Sequence, residues 1–278
     1  ALLQALRQHY DQEPAKVSAV KDQLLEHLQA STAITIESET DELRLDPGWV
    51  EAGWQEVSQV LLDHRGGTRF PMMPYAEFGL QAIAPNRASI EPTAERQLDL
   101  DSTDPRQTDP RPVLPKAQVP LWQALGQRGT ALVLGGIFDH VAGGFHRYTV
   151  DPTWTVPHFE KMLYDNGQIL RFLADLWSAG ERSSAIRRSI EMTVTWLQRE
   201  MTSPEGGFYA AQDADSFPAA TAQEPEEGAF YVWSWPELSA LLEPEDLADL
   251  AEHFTIAVGG NFEGTNVLQR RKTSNLSD

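Results

Sequence analysis

A glycine pair followed closely by an aromatic residue occurs three times along the chain: Gly66-Gly67 with Phe70, Gly143-Gly144-Phe145, and Gly206-Gly207-Phe208. The stretches between them carry apolar residues at helical spacing, and each is long enough for one pair of helices. Hairpins of helices that recur at such intervals build a closed ring, with glycines at inner turns where backbones crowd. Glycine pairs also end helices in any fold, so the repeat by itself leaves both readings open.

The helical stripes are explicit. Residues 14 to 30 place Val17, Val20, Leu24, Leu25 and Leu28 on one face, after a shorter apolar helix over 1 to 10. Asp46-Pro47 reads as an N-cap with proline in the first turn, opening a helix with Val50, Trp54, Val57, Val60 and Leu61 inward. Helices are expected over 71 to 84, 119 to 138, 158 to 179 and 182 to 201, with Gly180 as a left-handed C-cap between the last two. Residues 207 to 211 and 229 to 233 read as short strands that pair as a hairpin. Ser234 and Glu237 have capping-box spacing and start a last helical region, interrupted at Pro244 and ending near Phe254. Prolines and charges without periodicity fill 85 to 118, a linker or long surface loop.

Composition narrows the partners. With 22 Lys+Arg against 41 Asp+Glu, the formal charge is -19, so a nucleic acid or an anionic membrane surface meets repulsion. The absence of cysteine removes disulfides, thiolate metal sites and thiol redox chemistry. No apolar run is long enough to span a bilayer and the N-terminus lacks a signal pattern. The expectation is a soluble, cytoplasmic protein without a cofactor.

Chemistry-bearing residues concentrate between Gly135 and Asn166, GGIFDHVAGGFHRYTVDPTWTVPHFEKMLYDN. On a helical wheel starting at His158, Met162, Ile169, Leu173 and Leu176 form an apolar arc that also contains His158 and Asp165. His158, Lys161 and Asp165 would then line one wall, while Glu160 points to the far side. Either these polar groups form a satisfied buried pair that fixes the loop, or they face a ligand. Asp139, His140, His146, Arg147 and Tyr148 add titratable groups, and Phe138, Phe145, Trp154 and Phe159 add flat apolar faces. Acid/base groups beside aromatic platforms suit a polyhydroxylated ligand. The histidine spacings match no compact zinc motif. Asp213 and Asp215 mimic the start of a calcium loop, but Pro218 stands where that loop needs glycine. They are either a solvated acidic loop or carboxylates at the rim of a pocket.

That long run, followed by GGFYAAQDADS, EEGAFYVW and GNFEGTNVL, resembles the family of thioredoxin-domain proteins related to spermatogenesis-associated protein 20. The resemblance spans about Gly135 to Leu268, and RGGTRFPMMP (Arg65 to Pro74) resembles a shortened Gly-Gly-Phe-Gly motif of the same family. It implies an α/α toroid, similar to six-hairpin glycosidases and N-acylglucosamine 2-epimerases, following an N-terminal thioredoxin-like domain. Under it, residues 1 to 30 are helices trailing that domain, 31 to 84 a first helical hairpin region, and 119 to 278 a toroid segment incomplete at its C-terminus.

The combined expectation is a mainly α protein, a partial or complete α/α toroid with short β-hairpins, holding a carbohydrate-directed pocket. His146, Arg147, His158 and Asp165 are the candidate acid–base and oxyanion-stabilising groups, as in an epimerase, isomerase or glycoside-processing enzyme. Asp139, Tyr148, Trp154, Glu160, Lys161, Asp213 and Asp215 are the candidate sugar-binding groups, and no metal is expected. The alternative is a non-catalytic scaffold in which the same residues form a hydrogen-bonded hub.

Overall fold

A computed structural model of the chain describes residues 7, 10–32, 47–62, 66–83, 116–219 and 221–271. The chain divides into two compact units, residues 1–46 and 47–278. In the first, helix α1 spans Pro14–Thr32, and its Val20, Leu24 and Leu25 are exposed although their spacing predicts a buried stripe. Most of the helix expected over 1 to 10, and most of the proline-rich segment 85 to 118, lie outside the described residues.

The second unit contains α2 (Pro47–Leu62), α3 (Met73–Ile83), α4 (Val119–Leu134), α5 (Leu163–Ser178) and α6 (Ser184–Trp196), which runs into a π-helical turn, Leu197–Met201. Two shorter helices follow, α7 (Trp235–Leu241) and α8 (Pro244–His253). Helix α4 packs against α2, α3, α5 and α6. The reason lies in its sequence: Leu121, Ala124, Leu125, Leu132 and Val133 are all buried, so its apolar surface wraps well beyond one stripe. They meet Val57 and Leu61 of α2, Ala76 and Leu80 of α3, and Ile169, Phe172, Leu173 and Leu176 of α5 in one continuous core. Each large side chain fully buried there contributes about 1.5–3 kcal/mol.

A buried cation completes this core. Arg128 of α4, 4% exposed, donates through Nη1 to the carbonyls of Phe70 and Pro71 (2.7 and 3.0 Å) and through Nη2 to Leu61 (2.8 Å). Its guanidinium lies 5.0 Å from the centre of the Trp154 ring. The Leu61 carbonyl belongs to the last turn of α2, where acceptors lack helical partners. Arg128 therefore ties the end of α2 and the following loop to α4, and burial lowers its pKa to about 10, which leaves it charged.

Three two-residue antiparallel pairs stitch the connections: β1 (Tyr148–Thr149) with β2 (Pro157–His158), β3 (Lys161–Met162) with β4 (Ala211–Gln212), and β5 (Asp215–Ser216) with β6 (Glu226–Glu227). The protein is thus mainly helical with short antiparallel strand pairs. Two sequence expectations fail here for the same reason. The helix predicted from His158 starts only at Leu163, because 157–158 and 161–162 pair across to other segments and Met162 is extended. The hairpin predicted between 207–211 and 229–233 does not form; β4 pairs with β3 instead, and Trp233 bridges to Asn266. Long-range pairing overrides local periodicity in both places. Two capping predictions hold: Ser234 and Glu237 form a reciprocal capping box on α7, and Gly180 has a positive φ of 114° after α5. Asp46, the predicted cap of α2, lies outside the described residues, and Ser183 caps α6 without having been singled out in the sequence.

The Gly143-Gly144 turn lies against α6 without room for a side chain. Gly144 has φ +82°, and a Cβ there would lie 2.7 Å from Cδ2 of Trp196. Gly206 has φ +88° but nothing within 4 Å. We expect Gly206→Ala to lower stability by about 1–2 kcal/mol, the backbone cost alone, and Gly144→Ala by a further ~1–3 kcal/mol from overpacking. Urea denaturation of both variants measures the difference, and equal losses would show that the 143–144 turn yields to the ring.

Candidate functional site

The loop between α4 and α5 folds around one buried ion pair. Lys161 Nζ donates to Asp139 Oδ2 at 2.7 Å and to the Gly143 carbonyl at 2.9 Å, with side chains 1% and 7% exposed. Asp139 Oδ1 accepts the backbone N–H groups of Val141 and Ala142, both at 2.9 Å. The ammonium lies 4.8 Å from the Tyr231 ring centre and 5.4 Å from that of Trp196. Burial pushes the Asp139 carboxyl up, but Lys161 and the loop N–H groups outweigh it and hold the carboxyl below its ordinary value. The Asp139 carboxyl is therefore ionised at neutral pH, whereas burial pushes the Lys161 ammonium below its ordinary value against the opposing pull of Asp139. Asn166, fully buried at the start of α5, accepts from Phe145 N–H (2.6 Å) and donates to the carbonyls of Phe145 and Met162 (both 2.9 Å). It locks the far side of the loop to the helix.

Two cavities adjoin this region, and Asp139 and Tyr231 are among the residues that border both. The first, about 210 Å³, is walled by Phe138, Phe159, Tyr231 and Trp233, with His140 and His146 among its polar groups. The second, about 360 Å³, takes in Lys161, Trp196, Glu200, Asp213 and Asp215. Tyr231 packs edge-to-face on His146 and parallel to Phe159, at 4.7 and 5.8 Å between ring centres. Burial, then Asp139 and Glu200, push its phenol up to about 12, so it keeps its proton. Val267 and Leu268 close the first cavity. Buried Asn266 holds that strip to the 233 segment by donating to the carbonyls of Trp233 (3.3 Å) and Ala257 (3.1 Å).

Both histidines are neutral, for one reason. Burial is the largest influence on each, lowering His146 to about 3, with Lys161 adding to the effect, and His140 to about 4. His146 Nδ1 lies 2.8 Å from the Phe159 carbonyl and His140 Nε2 lies 2.9 Å from the Gly135 carbonyl. A carbonyl can only accept, so the bonded nitrogen carries the hydrogen in each ring. That leaves Nε2 of His146 and Nδ1 of His140 as lone-pair acceptors. His140 Nδ1 is buried without a partner among the described residues.

The predicted site residues separate into three groups. Asp139, His146, Lys161, Asp213 and Asp215 border the cavities. Arg147, Tyr148, His158 and Glu160 form a half-buried surface cluster instead. There His158 meets Glu227 Oε1 through Nδ1 at 2.6 Å and lies 3.7 Å from Glu160, which also pairs with Arg147 at 3.5 Å. Tyr148 stacks between Phe70 (4.7 Å) and His158 (5.1 Å). Trp154 belongs to the helical core under Arg128 and offers no stacking face to these cavities. Asp165, in the first turn of α5, has Oδ2 buried without a partner among the described residues, and burial raises its pKa. None of these last six residues lines either cavity.

The wheel that put His158 and Asp165 on one wall fails because His158 is in β2, not on the helix. Glu160, which that wheel sent elsewhere, is in the His158 cluster. Sequence reading missed Trp196, Glu200, Phe230 and Tyr231. The run Phe230-Tyr231-Val232-Trp233 was visible as an aromatic concentration, whereas nothing in the sequence marks the π turn beside Trp196. Among the described residues no three His, Asp or Glu side chains converge to hold a metal ion, and no helix is long and apolar enough to cross a membrane.

No family model matches the chain. It is similar to spermatogenesis-associated protein 20 of Homo sapiens, 38% identical over 165 residues that cover 51% of this chain and 20% of that protein. The Mus musculus protein of the same name is 43% identical over 123 residues, 44% of this chain and 15% of its own length. The Rattus norvegicus one is 39% identical over 143 residues, 47% and 18%. In each case the chain spans no more than a fifth of the relative.

Two measurements check this centre. Lys161→Met strands a buried carboxylate and should cost about 3–5 kcal/mol, while adding Asp139→Asn should recover part of that loss. A double variant less stable than the single one would deny the ion pair its role. The histidines give a pH test. The unfolded chain binds protons from about pH 6.5 downward that native His140 and His146 refuse until about 4 and 3. Unfolding free energy therefore rises with pH across that window and is lost on acidification. The urea midpoint should fall between pH 7 and pH 4.5, less steeply in the His140→Gln, His146→Gln double variant. A midpoint that holds steady would mean the rings are not buried neutral.

Proposed function

We propose that this chain is a carbohydrate-directed protein built as part of an α/α toroid of the six-hairpin type, and that the first cavity receives the sugar. The observation that carries the reading is the pairing of flat apolar walls (Phe138, Phe159, Tyr231, Trp233) with His146 and Asp139 in one concavity. Sugar rings stack on aromatic faces, and their hydroxyls need acceptors of this kind. The paired helices α2/α3 and α5/α6, the glycine turns and the resemblance in the 135 to 268 region support the toroid. With no cysteine, any redox activity of a neighbouring thioredoxin-like domain would be performed outside this chain.

In an epimerase- or isomerase-like reaction His146 would move the proton. A ring held near pH 3 is a better hydrogen-bond acceptor than base at neutral pH, so the geometry supports sugar binding more strongly than proton abstraction. Arg147, His158, Glu160 and Asp165 then act at a distance: the His158–Glu227 contact anchors the strand that leads into Phe230 and Tyr231.

One observation favours a second reading, a scaffold without catalysis. Both oxygens of Asp139 are engaged and Lys161 has two acceptors under two aromatic rings, as in a hub that serves only to join segments.

Saturation-transfer NMR with a mixture of neutral and charged mono- and disaccharides separates the two. Under the carbohydrate reading, transfer to sugar ring protons is expected and falls at least about tenfold in His146→Phe, which removes a buried hydrogen-bond partner. No transfer to any sugar would leave the scaffold reading standing. Release of a carbon-bound proton into heavy water would add catalysis to binding.

A further inference from the structure

Resting on the carbohydrate reading, we infer that the first cavity selects neutral, hydroxyl-rich ligands and turns away phosphorylated or carboxylated ones. The polar side chains that line it are Asp139, His140, His146, Tyr231 and Trp233. None carries positive charge, and the one carboxylate is ionised.

The two imidazoles could have supplied donors, but each has its N–H engaged by a backbone carbonyl, Phe159 for His146 and Gly135 for His140. What remains on each ring is a lone pair; that of His140 Nδ1 is buried, so in the cavity lining His146 Nε2 is the one left to accept a hydrogen bond from a hydroxyl and to repel the oxygen of an anion. None of the cations nearby lines the cavity. Lys161 is held by Asp139 and Gly143 and borders the other cavity. Arg188 donates to the His140 carbonyl at 3.1 Å, and neither it nor Arg270 is among the lining residues. An anion entering here would lose its water without a cation to replace it. A sugar hydroxyl, in contrast, gains an acceptor at His146 Nε2 while its ring carbons lie on Phe159 or Tyr231.

The discrimination follows from tautomers, so it can be observed directly. Titrations of the full chain use glucose, mannose and cellobiose against glucose 6-phosphate, mannose 6-phosphate and glucuronate, with myo-inositol against an inositol monophosphate as a non-sugar pair. Imidazole nitrogen-15 NMR reports which ring nitrogen of His146 accepts. The expected result is at least about tenfold tighter binding of the neutral member of a pair, with the His146 Nε2 resonance moving on addition of the neutral ligand and not of the anionic one. Equal or tighter binding of the phosphates or glucuronate overturns the inference while leaving the carbohydrate reading intact. Binding of no member of either class overturns both. A His146 Nε2 that carries the hydrogen in the free protein overturns the inference whatever binds.

Discussion

The buried pair of Lys161 and Asp139 is the constraint on which the rest of this region depends. Removing both charges from water costs several kcal/mol per ion, so such a pair survives only with near-ideal geometry and its remaining valences filled. Those conditions are met by the chain itself: two loop N–H groups on one carboxylate oxygen, a carbonyl on the ammonium, and aromatic faces over it. Each of these demands fixes a piece of backbone. Gly143 must turn its carbonyl inward, which takes φ +83°. Residues 161 and 162 must run extended beside β4, which delays the start of α5. The pair thus sets the loop and the helix start.

Arg128 shows a different solution to the same problem. Its guanidinium meets three carbonyls and one indole face, so its charge is met by dipoles and a ring quadrupole. Dipoles suffice where the task is to join elements. Beside a cavity the protein uses a full counter-charge, and the consequence is that Lys161 presents little free positive field to anything that enters. The π turn at Leu197–Met201 fits this arrangement. It closes α6 just after Trp196, whose Nε1 donates to Gln212 Oε1 at 2.8 Å, and so fastens the ring over Lys161 to the strand paired with it. Wide turns of this kind often accompany functional positions.

The helices of the main core were legible because burial on one face imposes a period that a sequence displays. Ser234, with Glu237 three residues on, announced its cap for an equally local reason. His158 was misread because its neighbours do follow a helical period; the strand pairing with Tyr148 is set by contacts ten residues away, which periodicity does not record. Lys161 illustrates the mixed case. It was singled out by its place on a wheel that does not exist, and it is nonetheless the most buried charge in the site. Trp154 went the other way, since an aromatic beside a loop of titratable groups reads as a platform, whereas here an arginine from a distant helix covers its face. Tyr231 and Trp196 reach the site from segments far along the chain, and only tertiary structure brings them together.

The charge balance takes on a more definite meaning once the buried cations are located. An excess of acidic residues yields -19 over the chain, yet a local cluster of lysines or arginines could still have made an anion site on such a protein. Around these cavities that does not happen. Lys161 is neutralised by Asp139, Arg199 is paired with Glu200 at 2.6 Å, and Asp213 and Asp215 stand at the second cavity without a cation between them in the hydrogen-bond network. The global sign of the charge and the local arrangement therefore act in the same direction. A ligand approaches the cavities through the field of an acidic protein, and under the neutral-ligand inference the first cavity offers hydroxyl and C–H groups a lone pair and aromatic faces while it sets no lining cation against a phosphate or carboxylate.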